Sequence, residues 1–214
     1  MDLRRIAELL APFAPGEALS AEQLQALSTY LDLLMRWNER INLTAIRSPE
    51  QIVTRHFGES LFAARHLLAS GQPAEVADLG SGAGFPGLPL KIVRPAANVA
   101  LIESQNKKAT FLREVIRALR LTGIHVIAER AETLAREFDL VTMRAVERFE
   151  RALPIAAGLV RPGGRLALLI GAEQAGAAQA ILCDLHWQTP MAIPQSAARV
   201  LLVATKSSKQ DSNQ

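Results

Sequence analysis

The stretch Glu75-Val76-Ala77-Asp78-Leu79-Gly80-Ser81-Gly82-Ala83-Gly84-Phe85-Pro86-Gly87 reads as a strand, then a glycine cluster, then a helix start. In a doubly wound sheet that junction is a ligand crevice. Gly80 and Gly82 permit a tight turn and let backbone N–H groups approach an anion, to which the helix N-terminus adds its dipole. The anion is either a pyrophosphate or an amino-acid carboxylate. The dinucleotide spacing G-x-G-x-x-G fails, because the third glycine position holds Phe85 and Gly84 falls one place early. Pro86 and Pro89 also shorten the next helix, where a dinucleotide fold sets a long one. Asp78 stands two residues before the first glycine, placed to hold the loop and to bind an ammonium group.

Outward from the loop, Glu103 ends the next apolar run 23 positions after Gly80, near the roughly 20-residue spacing of a carboxylate that accepts from ribose hydroxyls. A site for an amino acid joined to a nucleoside implies S-adenosylmethionine. Beyond Pro73, short apolar runs alternate with amphipathic helices, the signature of a parallel sheet covered on both faces. Seven strands are expected at about 75–79, 98–103, 124–129, 138–143, 166–170, 187–193 and 199–205, the last two forming an antiparallel edge because Pro190 and Pro194 leave no helix between them. Arg161-Pro162-Gly163-Gly164 reads as a turn before the fifth strand.

Before Pro73 the pattern is helical. Ser20-Ala21-Glu22-Gln23 has the spacing of a capping box, after which Leu24, Leu27, Leu31 and Leu34 recur on one face. Ser48-Pro49-Glu50-Gln51 repeats the device with proline at the first helical position. The next helix sets Arg55, Glu59 and His66 on one side and Val53, Phe57, Leu61, Ala64 and Leu68 on the other. The expected fold is therefore α/β, Rossmann-like, with a helical extension at 1–72, a cofactor core at 73–205 and a polar, frayed tail at 206–214.

At 214 residues, 49% hydrophobic and 21% charged, the chain has enough material for a real core. It has no apolar run near the roughly 20 residues that cross a bilayer. No signal-peptide pattern follows Met1, and a cytoplasmic protein is expected. Cys183 is the only cysteine, which excludes intrachain disulfides and thiolate zinc clusters; it reads as a small buried hydrophobe. His66, His125 and His186 lack ligand spacing, so no metal is expected. A net charge of +3 with basic clusters permits a nucleic-acid partner without arguing for one.

Absences narrow the methyl acceptor. The junction after the fourth strand reads Val141-Thr142-Met143-Arg144-Ala145-Val146, without the Asp/Asn-Pro-Pro-aromatic tetrad that orients an exocyclic amine. Cys183 has no activating motif, so methylation at pyrimidine carbon loses support. A ring nitrogen such as guanine N7 already carries a lone pair and needs only alignment. Arg144 either holds a guanine edge or a phosphate, or forms a structural ion pair, for instance with Glu147. Lys107 and Lys108 oppose a helix dipole and await an anion, while Arg113, Arg117 and Arg120 form a stripe of solvated surface or RNA contact. Trp37 reads as core. A methyltransferase for a small molecule or a protein, and a non-catalytic module that binds RNA or a dinucleotide, remain as rivals.

Nearly the whole chain resembles the bacterial 16S ribosomal RNA guanine-N7 methyltransferases, formerly called glucose-inhibited division protein B. The matching segments are Arg36-Trp37-Asn38-Glu39-Arg40-Ile41-Asn42-Leu43-Thr44, Arg55-His56-Phe57-Gly58-Glu59-Ser60, Gly80 to Ile92 and Glu103 to Leu112. The resemblance implies a class I methyltransferase fold and one guanine of the decoding-centre loop, nucleotide 527 in the family, as acceptor. It implies Gly80, Gly82 and Gly84 at the methionine end, Glu103 at the ribose, and Ala131 and Glu132 at the adenine edge; Asp78, Ser81, Phe85 and Ser104 are also expected to bind the cofactor. Arg144 would be catalytic, and Arg55, His56, Arg199, Lys107 and Lys108 would bind 16S RNA or the small ribosomal subunit, the protein acting as a monomer. Glu59 stands where aspartate is common, Ala198 where an acid often precedes Arg199, and Met143 where a small residue often precedes the arginine.

Overall fold

Ser20 opens the longest helix as its spacing predicts. Its hydroxyl accepts the Gln23 N–H at 3.2 Å while the Gln23 side chain accepts the Ser20 N–H at 2.9 Å, an exchange worth about 1 kcal/mol. In the computed structural model, which describes residues 1–72, 74–146 and 148–208, helix α1 (Leu3–Leu10) precedes this helix, α2 (Ala21–Asn38). Leu27, Leu31 and Leu34 of α2 are buried on one face. Ser48 caps α3 (Pro49–Ile52), which runs through a π-helical stretch, Val53–Gly58, into α4 (Glu59–Leu67). That wide turn departs from the single regular helix expected here; such turns concentrate at functional sites. The expected apolar face is buried, and His66 bonds the Phe62 carbonyl at 2.8 Å.

Strands β1 (Glu75–Leu79), β2 (Asn98–Ile102), β3 (Ile124–Ile127), β4 (Phe138–Arg144) and β5 (Val160–Gly171) pair in parallel, in the order 3-2-1-4-5. β8 (Arg199–Thr205) lies antiparallel to β5, and β6 (His186–Trp187) and β7 (Met191–Ala192) both pair antiparallel with β8. The antiparallel edge is as expected, but the run at 187–193 is two short strands interrupted at Pro190. The fifth strand starts earlier than expected: the pairing skips from Phe138↔Val160 to Leu140↔Arg165. Pro162-Gly163-Gly164 thus forms a bulge inside the strand, with Gly163 at φ +76°.

Between the strands lie α5 (Gly87–Val93), α6 (Asn106–Ala118), α7 (Phe149–Gly158) and α8 (Ala175–Ile181). α1, α2 and α4 share one hydrophobic cluster with α5, α6 and one sheet face, while α7 and α8 cover the other. Trp37 meets Phe111 of α6 edge-on at 5.7 Å, half-buried at the margin of that first cluster rather than within the core. Lys206 departs from the frayed tail expected: its backbone N–H donates to Gly164 and its Nζ to the Val160 carbonyl at 2.7 Å. Residues 209–214 of that tail lie outside the described residues. Cys183 is exposed rather than buried, because α8 ends at Ile181 and the thiol falls in the turn beyond it.

Candidate active site

Strand register assembles the site. Leu79 pairs with Ile102 of β2 and with Met143 of β4. Gly80, Glu103 and Arg144, each one residue further on, therefore emerge side by side at the carboxyl ends of the strands, where the strand order reverses.

Beneath the loop, Asp78 is fully buried. Its carboxylate accepts the Gly87 N–H at 3.2 Å and the Thr142 hydroxyl at 3.0 Å, tying both ends of the loop to β4. Burial pushes its pKa up to about 6, against the pull of Thr142 and Gly87. The structure therefore gives Asp78 the loop-holding role only; no face of it is open to an ammonium group. Gly84 also turns inward. At φ +94°, a Cβ there would lie 2.4 Å from Leu88 Cδ1 and 2.7 Å from the Tyr30 hydroxyl, so this glycine serves close packing rather than the cleft wall. Tyr30 of α2 in turn donates to the Ala83 carbonyl and stacks on Phe85 at 5.5 Å.

Two adjoining cavities of about 410 and 440 Å³ open above the loop, and Gly80, Glu103, Ser104 and Val146 line both. The first continues along Glu129, Ala131 and Glu132. The second is walled by Thr44, His56, Ser81, Gly82, Phe85, Lys108 and Arg144. Glu103 accepts the Gly82 N–H at 3.0 Å and the Gln105 N–H at 2.8 Å. A carboxylate offers about four acceptor positions, so two remain for a ligand. Lys107 and Lys108 occupy the first turn of α6, whose N-cap Gln105 makes no side-chain cap; Lys108 reaches the cavity and Lys107 lies exposed outside it.

The second cavity rests on an arginine cluster that sequence reading only half found. Glu59, 1% exposed, accepts from Arg144 Nη2 at 3.1 Å and Arg199 Nε at 2.9 Å, and its other oxygen lies 3.4 Å from Arg55 Nε. One carboxylate thus serves three guanidiniums and leaves a local surplus of two positive charges. Arg144 also donates to His56 Nδ1 at 2.8 Å and to the Arg55 carbonyl at 2.7 Å. Its ion-pair partner is therefore Glu59; Glu147 lies outside the described residues. Burial pulls Arg144 down from its ordinary value, Glu59 opposes this and Arg199 adds to it. Arg144 Nε and Glu59 Oε1 are buried without hydrogen-bond partners, a cost met where a cluster is kept for function rather than stability. His56 stacks on Phe85 at 4.7 Å and is held neutral, its pKa lowered to about 3 by burial and then by Arg144, Arg199 and Arg55. The sequence signals for Glu59 were its place in the Arg55 to Ser60 segment and its i,i+4 spacing from Arg55, and neither points to Arg144 or Arg199. For Thr44 the signal was membership of the Asn-Leu-Thr run. Among the described residues no cluster of His, Cys, Asp and Glu offers a metal site, and no helix is long and apolar enough to cross a membrane.

A five-strand parallel sheet in the order 3-2-1-4-5 with an antiparallel strand beyond it, and a glycine loop and a carboxylate at adjacent strand ends, define a class I S-adenosylmethionine-dependent methyltransferase. Solved structures agree in fold: the ribosomal protein L11 methylase of Lactobacillus delbrueckii subsp. bulgaricus superposes with a TM-score of 0.59 at 14% identity over 72% of this chain and 79% of its own. A SAM-dependent methyltransferase from Aquifex aeolicus gives 0.59 at 17% identity over 74% and 93%. The chain belongs to the GidB family, rRNA small subunit methyltransferase G, which it matches over residues 23–197. It is 41% identical to the ribosomal RNA small subunit methyltransferase G of Chloroflexus aggregans over 89% of this chain and 85% of that one. With the protein of the same name from Xanthomonas axonopodis pv. citri it shares 44% over 73% of each.

Proposed function

We propose that this chain transfers the methyl group of S-adenosylmethionine to N7 of a guanine in 16S ribosomal RNA, nucleotide 527 in the family, as a cytoplasmic monomer. The observation that carries the reading is the continuity of the cleft. One wall holds the glycine loop and Glu103, the other Arg144 of the arginine cluster, and Gly80 is among the residues that line both cavities. The residues present fit the cofactor. A Cβ on Gly80 would sit 3.3 Å from Val146 Cγ2, another residue that lines both cavities, and Glu103 keeps acceptor capacity for ribose hydroxyls.

Glu103 and Ser104 would hold the ribose, Ala131 and Glu132 the adenine edge, and Gly80, Ser81, Gly82 and Phe85 the methionine end, with Asp78 and Gly84 shaping the loop from below. When bound, the cofactor supplies an electrophilic methyl group. Arg144 would orient the guanine edge, and Arg55, Arg199 and Lys108 would hold phosphates, with Lys107 touching RNA outside the cleft. N7 loses no proton on methylation, and the site accords with that: both ring nitrogens of His56 are engaged and its pKa is about 3, so it is no general base near neutrality. Residues 1–72 would act as the extension that brings Thr44, Arg55 and His56 to the 73–205 core.

The test is methyl incorporation from labelled cofactor into 16S RNA or small subunits, mapped by nucleotide. Wild type should label one guanine and Glu103→Ala should not. Equal labelling of unrelated RNA would remove the site-specific claim, and thermal stabilisation by NAD but not by S-adenosylhomocysteine would remove the methyltransferase reading.

A further inference from the structure

The loop that follows α2 presents a hydroxyl in an unusual hydrogen-bonding state. Asn38, buried at the end of α2, clamps Thr44 by its backbone. The Asn38 Oδ1 accepts from Leu43 N at 2.9 Å and from Thr44 N at 3.0 Å, and its Nδ2 donates to the Thr44 carbonyl at 3.0 Å. Arg47 donates to the Asn38 carbonyl at 2.8 Å and fixes the clamp from outside. The Thr44 side chain is thereby set on the wall of the cavity that holds His56, Phe85 and Arg144.

The partners of this hydroxyl determine what it can do. Arg144 Nη1 has only hydrogens to offer, so His56 Nδ1, 2.8 Å away, must be the acceptor. In neutral imidazole the proton then sits on Nε2, which donates to Thr44 Oγ1 at 2.7 Å. The Ile46 N–H donates to the same oxygen at 3.2 Å. A hydroxyl oxygen has two lone pairs, and both are taken. Among the described residues no acceptor receives the Thr44 proton. What remains is a hydroxyl that donates and does not accept, held in place by a chain running Arg144 to His56 to Thr44.

We propose that Thr44 reads the six-position of the purine that accepts the methyl group, donating its hydroxyl proton to guanine O6 and rejecting adenine. Adenine carries an amino group there, a second donor, which would face a hydroxyl with no lone pair left for it. Threonine, histidine and arginine thus act together as a selector: Arg144 sets the His56 tautomer, and the tautomer makes the Thr44 hydroxyl donor-only. The proposal rests on the guanine reading above.

The experiment is a two-by-two cycle on small subunits reconstituted with 16S RNA whose target guanosine is intact or replaced by 2-aminopurine riboside, which lacks O6 and keeps N7. Wild type and Thr44→Val are compared in kcat/KM, with S-adenosylhomocysteine affinity and melting temperature as checks on the cofactor site and fold. Thr44→Val should lower kcat/KM on guanine roughly 10- to 100-fold, 2-aminopurine should cost wild type a similar factor, and the two losses together should not exceed either alone. Thr44→Ser, which restores the hydroxyl, should recover most of the rate. If Thr44→Val is slow while 2-aminopurine costs wild type nothing, or if the two losses multiply, the hydroxyl supports His56 without reading the base and the proposal fails. If wild type does not methylate guanine in intact RNA, the function proposed above fails and this inference with it; methylation of guanine with Thr44→Val unaffected overturns this inference alone.

Discussion

Asp78→Asn tests how the cofactor loop is held. The Asp78 carboxyl titrates at about 6 in the folded protein against an ordinary value of 3.8. Its folded value is raised, so its contribution to stability is complete below pH 3.8 and is lost as pH rises through about 6. Two pH units at about 1.4 kcal/mol each make the full change about 3 kcal/mol. His56 works in the other direction. Its folded value is lowered to about 3 from 6.5, so its contribution is complete above pH 6.5 and is lost as pH falls. Between about pH 4 and 6 the two slopes have opposite sign, and wild-type stability should be nearly flat there. Asparagine can still accept the Gly87 N–H and carries no titrating proton, so subtracting the wild-type curve from the variant curve cancels His56 and isolates Asp78. Urea unfolding followed by circular dichroism from pH 7.5 to 4.5 should show Asp78→Asn losing about 2 kcal/mol of its advantage over wild type across that range. A difference independent of pH would refute the account, because it would mean that the carboxyl ionises as freely in the fold as outside it.

Glu59→Gln should destabilise the protein by about 3–5 kcal/mol, since it leaves three clustered guanidiniums without their counter-charge, and sulfate should raise its melting temperature more than that of wild type. Arg144→Lys should lower methyl transfer about 100-fold with S-adenosylhomocysteine binding retained, because a lysine cannot serve Glu59, His56 and a substrate edge from one fork; weakened cofactor binding would count against the role given to Arg144. Gly84→Ala should cost about 1–3 kcal/mol through its contacts with Leu88 and Tyr30 and its positive φ, read by denaturant midpoint. Replacing both Lys107 and Lys108 with alanine should reduce the slope of log affinity for RNA against log salt by about 1.4, and an unchanged slope would show that neither meets a phosphate.

Much of the fold was legible because its signals are local. Ser20 and Gln23 announce a helix start within four residues, and the alternation of apolar runs with helices is visible without knowing what touches what. The bulge at Pro162-Gly163-Gly164 was misread as a turn because glycine and proline report a departure from regular backbone, not whether pairing resumes on the same strand, as it does here from Val160. The glycine loop shows the same limit at the site. Its spacing identifies the ligand class, yet spacing does not say which atoms face the cleft, and Asp78 and Gly84 proved to look into the core. Glu59 was harder still, since its partners Arg144 and Arg199 lie 85 and 140 positions away.

The same reasoning explains why the Trp-Asn and Asn-Leu-Thr segments carried so much of the resemblance while their chemistry stayed hidden. Asn38 and Thr44 are six positions apart and meet through hydrogen bonds between the Asn38 side-chain amide and the Thr44 backbone, a local pairing within reach of sequence reading. What Thr44 does depends on His56, and what His56 does depends on Arg144, 88 positions further along. The proton on the histidine is fixed by the end of β4, and the hydroxyl it governs sits on the loop between α2 and α3. Neither half alone would make a donor-only hydroxyl, so the packing of the helices before β1 on the sheet is itself part of the site.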